Sequence, residues 1–312
     1  MRIEYHRTLI ADTARNEAFF HALKSVIEPG KTVVADIGAG TGLLGLMASK
    51  LGAKEVFLFE TAEVAGVAAQ VLKANKAKRC HVIPCHSTEF DDKLAVDVIV
   101  SETLGNYALE ENIIATLADA RQRFLKPGGV IIPSRIAQFI VPVIAPRIDL
   151  ELRAWERVGH GLDLSAAQTM TLNNVYVRLL KPAELLGNGA SAVQWDSIDL
   201  TRETRAKRKG QAEWRVAAPA TIYGFAVWWT AELRSGISLS TAPSAPRTHW
   251  EQLYFPLAAP IEAKAREQVV VELRSNSSEE GGTHLAWTAI HRNAQGTVVN
   301  RHAHDLNKGY LP

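Results

Sequence analysis

Val33-Val34-Ala35-Asp36-Ile37-Gly38-Ala39-Gly40-Thr41-Gly42 decides the fold. An apolar run closing on an acid reads as a buried parallel strand, and residues 43–51 behind it read as a helix. Three glycines at alternate positions let the backbone approach a ligand closely at this strand-to-helix turn. The helix N-terminus that follows offers free N–H groups. A nucleotide-like cofactor is the natural occupant of such a turn.

Gly40, Gly42 and Gly45 also satisfy the dinucleotide-binding spacing, so the glycines alone leave the cofactor open. Two acids narrow the choice. Asp36 lies two residues before the first glycine, and Glu60 closes the next apolar run, 56–59. A carboxylate at the end of a second strand can bind ribose hydroxyls. Asp-x-Gly-x-Gly-x-Gly followed by such an acid resembles the S-adenosylmethionine site of class I methyltransferases.

At 312 residues the chain suits one large domain or two ordinary ones. A net charge of +2 points neither to a nucleic-acid binder nor to a membrane-surface protein. Cys80 and Cys85 suit neither a disulfide framework nor a metal site, which favours a reducing compartment. The opening residues lack the basic-then-apolar pattern of a signal peptide, and no apolar run reaches the length of a membrane span. The expectation is a soluble, cytoplasmic protein.

Up to about Pro133, apolar runs alternate with helical patterns, the signature of a parallel sheet wrapped by helices. Strands are expected at 56–60, 81–85, 96–101 and 130–133, with helices at 62–76 and 109–124. Lys126-Pro127-Gly128-Gly129 should stop the last of these helices. Beyond Pro133, short alternating runs at 139–143, 175–180, 217–233, 249–257, 269–273 and 284–291 read as an antiparallel barrel or sandwich. Residues 149–165 have helical character and could project as an arm, and 184–192 read as a surface loop. The basic cluster Arg202, Arg205, Lys207, Arg208 and Lys209 reads most simply as a solvated hairpin tip, the alternative being a grip on an acidic partner.

In residues 101–111, Ser-Glu-Thr-Leu-Gly-Asn-Tyr-Ala-Leu-Glu-Glu, Glu102 ends a strand and a second acid lies nine residues later. Gly105-Asn106 is a turn signal between them. A loop reversing there aims both carboxylates at one point, at the strand ends where α/β proteins bind ligands. Two convergent carboxylates suit a planar cation, and a guanidinium offers the matching fork of N–H donors. On their own, Glu110 and Glu111 read better as acids enriching a helix's first turn.

With Thr248-His249-Trp250 in the second half, the sequence resembles the protein arginine methyltransferases. The glycine-rich motif, a two-glutamate loop opening on Ser-Glu and a late Thr-His-Trp loop occur in that family's order. Residues 155–163, Trp-Glu-Arg-Val-Gly-His-Gly-Leu-Asp, resemble its dimerisation arm, so the likeness covers nearly the whole chain. It implies an α/β Rossmann-like class I methyltransferase domain over residues 1–133. An antiparallel β-barrel substrate domain with a helical dimerisation arm would follow over 134–312.

The resemblance also implies roles. S-adenosyl-L-methionine would be the cofactor and S-adenosyl-L-homocysteine the product. Asp36, Gly38, Gly40 and Gly42 would line the cofactor, with Glu60 on its ribose. Thr88 falls where the family usually has an adenine-contacting glutamate, Glu89 is the reserve candidate, and Thr116 is a further cofactor position. Glu102 and Glu111 would clamp the guanidinium, with Glu110 as a neighbour and Trp250 at the substrate site. Upstream, Tyr5-His6 through Arg15 matches the helix before the sheet. Arg15 would bind the methionine carboxylate, His6 would lie near the cofactor, and Asp12 would pair with His249. Alone, Asp12 and Arg15 read as an i, i+3 surface pair.

The match departs at Thr103-Leu104, where the family usually has Trp-Met, and the aromatic N-terminal helix that many members fold over the cofactor is not expected. The favoured substrate is arginine in a protein or peptide. Free arginine or another small guanidino or amine metabolite is the alternative, and a non-catalytic binding protein is a third reading. A homodimer is expected, with no nucleic-acid or membrane partner and no metal. His302 and His304 could bind a metal, but a plain C-terminal strand is the simpler reading.

Overall fold

The computed structural model describes residues 3–278 and 282–308. Two helices open the chain, α1 (Ile3–Ala11) and α2 (Thr13–Lys24), with Asp12 between them. Asp12 Oδ1 accepts the Arg15 N–H at 2.9 Å and so caps α2. Next come β1 (Val33–Ile37), α3 (Leu43–Lys50), β2 (Glu55–Phe59), α4 (Ala65–Ala74), β3 (Cys80–Ile83), β4 (Val96–Ser101), α5 (Ile113–Phe124) and β5 (Leu125–Ile132). Their strands form one parallel sheet in the order β3-β2-β1-β4-β5. The order reverses beside β1, which pairs with β2 on one side and β4 on the other, and a crevice opens at the strand ends there.

α5 begins later than its apolar pattern suggests. Asn112 takes a left-handed backbone conformation, φ 55°, and the helix starts only after it. Glu110 and Glu111 therefore lie in the loop before the helix, and the first-turn reading of these acids does not hold.

The sheet changes between Ile132 and Arg135. The chain continues as β6 (Arg135–Val143), α6 (Arg147–Leu152), α7 (Ser165–Leu172), β7 (Tyr176–Arg178), β8 (Val193–Asp199) and β9 (Lys207–Arg215). It ends with β10 (Ala220–Arg234), β11 (Ile237–Ser240), β12 (Gln252–Ala263), β13 (Gln268–Asn276), β14 (His284–Arg292) and β15 (Val298–Asp305). These strands form two antiparallel sheets. One runs β7-β12-β10-β6-β8, with β11 on β10, and the other runs β15-β14-β13-β9. Alternating burial explains the packing: on β13, Val269, Val271 and Leu273 point inward between exposed or half-buried neighbours.

The hydrophobic core does not break where the sheet changes. One contiguous cluster runs from Phe19 and Leu23 of α2, through Val34 and Ile99, to Trp229, Trp250 and Trp287. A smaller cluster, including Leu152, Leu172, Trp228 and Tyr254, lies under α6 and α7. That helical pair and the segment joining it are where the arm was expected, and they carry exposed Leu150, Trp155, Val158, Leu162 and Met170.

The basic cluster is not a uniformly solvated tip. Arg208 is 9% exposed at its side chain and is held by Asp196 at 2.6 Å and Glu203 at 2.7 Å. Arg202 and Arg205 do face solvent. His302 and His304 point inward from β15, and His304 stacks on Trp287. No group of three potential metal ligands occurs among the described residues.

Candidate active site

The ends of β1, β2 and β4 open into a cavity of about 350 Å³. The glycine turn is its floor. Gly38 and Ala39 N–H groups donate to Phe59 O at 3.0 and 2.9 Å and pin the turn to the end of β2. A Cβ on Gly38 would lie 2.6 Å from Thr103 Cγ2, and one on Gly40 would lie 3.1 Å from the His6 ring. Both residues have positive φ, so only glycine fits without strain.

Asp36 Oδ2 accepts the Gly45 N–H in the first turn of α3 at 2.8 Å. Burial pushes its carboxyl up to about 7, against the pull of that N–H and of Arg15. Gly45 has no side chain because Leu58 presses on it: a Cβ would lie 2.5 Å from Leu58 Cδ2. Glu60 spans the turn, its Oε2 accepting from Gly40 N and its Oε1 from Ala62 N, both at 2.8 Å. α1 covers the opening with Tyr5, His6, Leu9 and Ile10, and α5 adds Thr116. Burial lowers the His6 ring below its ordinary value, and its Nε2 is buried without a partner, as is Ser87 Oγ.

The acid loop that follows β4 brings Glu102 and Glu111 to the cavity, whereas Glu110 turns back on the loop. Glu110 Oε1 accepts the Tyr107 N–H at 3.2 Å. Arg15 donates through Nε, at 2.7 Å, and through Nη2 to Glu102 Oε2. The other oxygen, Oε1, has only a long bond of 3.3 Å from Leu104 N. Burial raises the Glu102 carboxyl, and Arg15 opposes the rise. Glu111 is reached by water, yet the surrounding protein raises it as well, with Glu102, Glu110 and Glu60 adding repulsion.

The antiparallel half holds this loop without entering the cavity. Trp229 Nε1 donates to Gly105 O at 3.0 Å, Trp250 Nε1 to Leu104 O at 2.8 Å, and Glu251 N to Asn106 Oδ1 at 2.9 Å. Asp12 Oδ2 accepts from both His249 N, at 2.8 Å, and His249 Nδ1, at 2.7 Å. Burial works against the Asp12 carboxylate, but hydrogen bonds from His249 and the Arg15 N–H hold it below its ordinary value. An ionised carboxylate only accepts, so the Nδ1 facing it carries a proton, with Nε2 on the far side of the ring. That Nε2 is buried and unpartnered.

Several expected positions change. Trp250 is 3% exposed, packs edge-on against Trp229 and lies outside the cavity lining, so it supports the acid loop rather than touching a substrate. Thr88 and Glu89 are occupied with their own turn: Thr88 Oγ1 meets His86 Nδ1 at 2.6 Å and Glu89 Oε2 accepts His86 N at 3.3 Å. Neither lines the cavity, whereas Cys85, His86 and Ser87 do. Gly42 caps α3 and packs on Ala68 and Leu58 outside the lining. Asp12 and Arg15 are buried, not a surface pair. Tyr5, Leu9 and Ile10 were missed, although the i, i+4 spacings of Tyr5 with Leu9 and His6 with Ile10 mark one face of α1.

Residues 136–288 match the arginine methyltransferase oligomerisation subdomain, and residues 17–142 match the ribosomal protein L11 methyltransferase family. Protein arginine N-methyltransferase 6 of Danio rerio is 30% identical over 91% of this chain and 84% of its own length. Arginine N(omega)-methyltransferase of Streptomyces achromogenes is 32% identical over 86% of this chain and 75% of its own. In fold, the chain is similar to the Trypanosoma brucei PRMT1 enzyme–prozyme heterotetrameric complex with AdoHcy. The TM-score is 0.87, at 20% identity and covering 98% of each chain. Fold and sequence together define a Rossmann-like methyltransferase domain joined to an antiparallel domain. The chain belongs to the protein arginine methyltransferase family.

Proposed function

We propose that this protein transfers a methyl group from S-adenosylmethionine to a guanidino nitrogen of arginine in a protein or peptide. The convergence of Glu102 and Glu111 on one cavity, beside a floor that admits only glycine, carries this reading. The cavity fits the cofactor by its own chemistry: Glu60 can take ribose hydroxyls, Arg15 can take a carboxylate, and Ser87 Oγ and His6 Nε2 await partners. The relative solved with AdoHcy supports the same cofactor. When bound, S-adenosylmethionine supplies an electrophilic methyl group on a sulfonium centre.

The chain's own residues then do the rest. A guanidinium holds its protons too tightly for ordinary base removal. Glu102 Oε1 and the Glu111 carboxylate would bind two sides of the fork and draw positive charge toward themselves, so the remaining nitrogen regains lone-pair character. Arg15, on Glu102 Oε2, keeps that carboxylate oriented. Much of the rate would come from placement. Glu111, raised and reached by water, would take the proton that the product sheds. Asp12 fixes His249 as the tie between the halves.

The arm's exposed apolar side chains and the matched oligomerisation subdomain support a homodimer. The residue ranges 1–133 and 134–312 are proposed as its two domains. No described helix is long and apolar enough to cross a membrane, and both cysteines are free thiols, which supports a cytoplasmic location. The Streptomyces relative, whose name specifies arginine without a protein, keeps free arginine as a second reading. Labelled S-adenosylmethionine offered with free L-arginine and with an arginine-rich peptide tests both. Methylarginine in the peptide is expected; label in free arginine alone would favour the second reading, and label in neither would sink both.

A further inference from the structure

Behind the acid loop runs a line of buried polar side chains that the chemistry above does not use. Tyr107, 1% exposed, lies in the loop between Glu102 and Glu111. Its hydroxyl donates to Ser275 Oγ at 2.7 Å and accepts from Gln138 Nε2 at 3.2 Å. The Gln138 amide also reaches Asp196 Oδ2 at 3.4 Å. Arg208 in turn holds Asp196, through Nε at 2.9 Å and Nη2 at 2.6 Å.

Strand periodicity makes these positions unusual. Gln138 shares the inward face of β6 with Ile136 and Ile140, and Ser275 follows Val269, Val271 and Leu273 on the inward face of β13. Both are nearly fully buried, Gln138 at 1% and Ser275 at 4%. A polar group in such a stripe is costly unless it is hydrogen-bonded. The Tyr107 hydroxyl is a partner that both find, although β6 and β13 belong to different sheets.

The same tyrosine organises the loop's second turn. Its N–H donates to Glu110 Oε1 at 3.2 Å, and its carbonyl accepts the Glu110 N–H at 3.0 Å. The turn that delivers Glu111 is therefore built directly on Tyr107. We infer that Tyr107 is a positioning residue for Glu111, fixed from the two antiparallel sheets by Gln138 and Ser275. This rests on the reading of Glu111 as a guanidinium ligand.

Tyr107→Phe keeps the ring and removes the hydroxyl. The expected result is a fall in kcat on the arginine peptide of roughly 10- to 100-fold. S-adenosylhomocysteine affinity by calorimetry should stay within about twofold, and amide exchange across residues 105–111 should quicken. Ser275→Ala should cost less than Tyr107→Phe and add nothing further in the Tyr107→Phe background, since the one bond it removes is among the two that Tyr107→Phe removes. Unchanged kcat and exchange in Tyr107→Phe would overturn the inference. So would additive effects of the two substitutions, or a loss of kcat that merely follows lost cofactor affinity and melting temperature. If the wild-type protein methylates no arginine, the functional reading falls. Exchange at residues 105–111 would still decide whether Tyr107 holds the turn.

Discussion

The two halves of this molecule divide the labour unevenly. Every described residue lining the cavity falls between Tyr5 and Thr116. The antiparallel half lines none of it, yet its indoles from Trp229 and Trp250 grip the loop that carries both acids. In the proposed mechanism one half supplies the reactive groups, and the other fixes where they stand. The difference teaches that catalytic geometry here is a property of the interface, since Glu102 and Glu111 share a loop whose backbone is anchored elsewhere.

The sharpest way to break that contrast is to neutralise an acid. Glu111→Gln or Glu102→Gln should lower turnover by about 10³-fold, while Glu111→Gln keeps S-adenosylhomocysteine binding in calorimetry. Near-normal turnover in either variant would remove the parallel half's claim to the chemistry. Next in size is Trp229→Phe, which withdraws a donor from Gly105 O and leaves an aromatic ring. A fall in kcat of about tenfold, with cofactor affinity intact, is expected. If cofactor affinity falls and kcat holds, the antiparallel half steers binding and not the acids.

A pH profile sharpens the same division. Burial raises Glu102, and the surrounding protein with the neighbouring carboxylates raises Glu111. As pH falls they protonate early and lose their grip on a cation, so kcat/KM should decline on an acid limb clearly above the ordinary glutamate value of about 4.3. An acid limb at that ordinary value would contradict the geometry. The smallest effect on turnover conditions concerns Asp36, whose folded value of about 7 exceeds the unfolded one. The folded state therefore binds this proton more tightly. The resulting cost is absent near pH 4, grows as pH rises toward 7, and is bounded at about 4 kcal/mol above that. Asp36→Asn should melt higher than wild type at pH 8 and nearly equal to it at pH 4. Equal melting at both would show that the buried charge is fully compensated.

The legible parts of the sequence were those whose physics is local. Alternate glycines after an apolar strand announce a close backbone approach, and Gly38 and Gly40 have it. The Gly-Asn turn between Glu102 and Glu111 was legible too, but their spacing alone favoured a helix's first turn and only the family resemblance pointed to a clamp, because the loop is held by distant indoles. What failed depends on tertiary direction. Nothing in Thr248-His249-Trp250 says that the indole points into the core, and Trp250 lies there because Trp229 and Leu104 receive it. Thr88 and Glu89 were favoured by position, but a 3₁₀ turn over Ser87–Glu89 engages them locally and leaves His86 and Ser87 at the cavity. Arg208 looked solvated in a basic run until Asp196, from a neighbouring strand, buried it.

The hydrophobic cluster that crosses from Phe19 to Trp287 without a seam has its own consequence. Cutting or splicing the chain near residue 134 would lay bare apolar surface on both pieces. Chimaeras that graft this barrel onto another family member's nucleotide-binding half should therefore aggregate unless the facing residues travel together. A change of packing on one side of the junction should then need a matching change on the other.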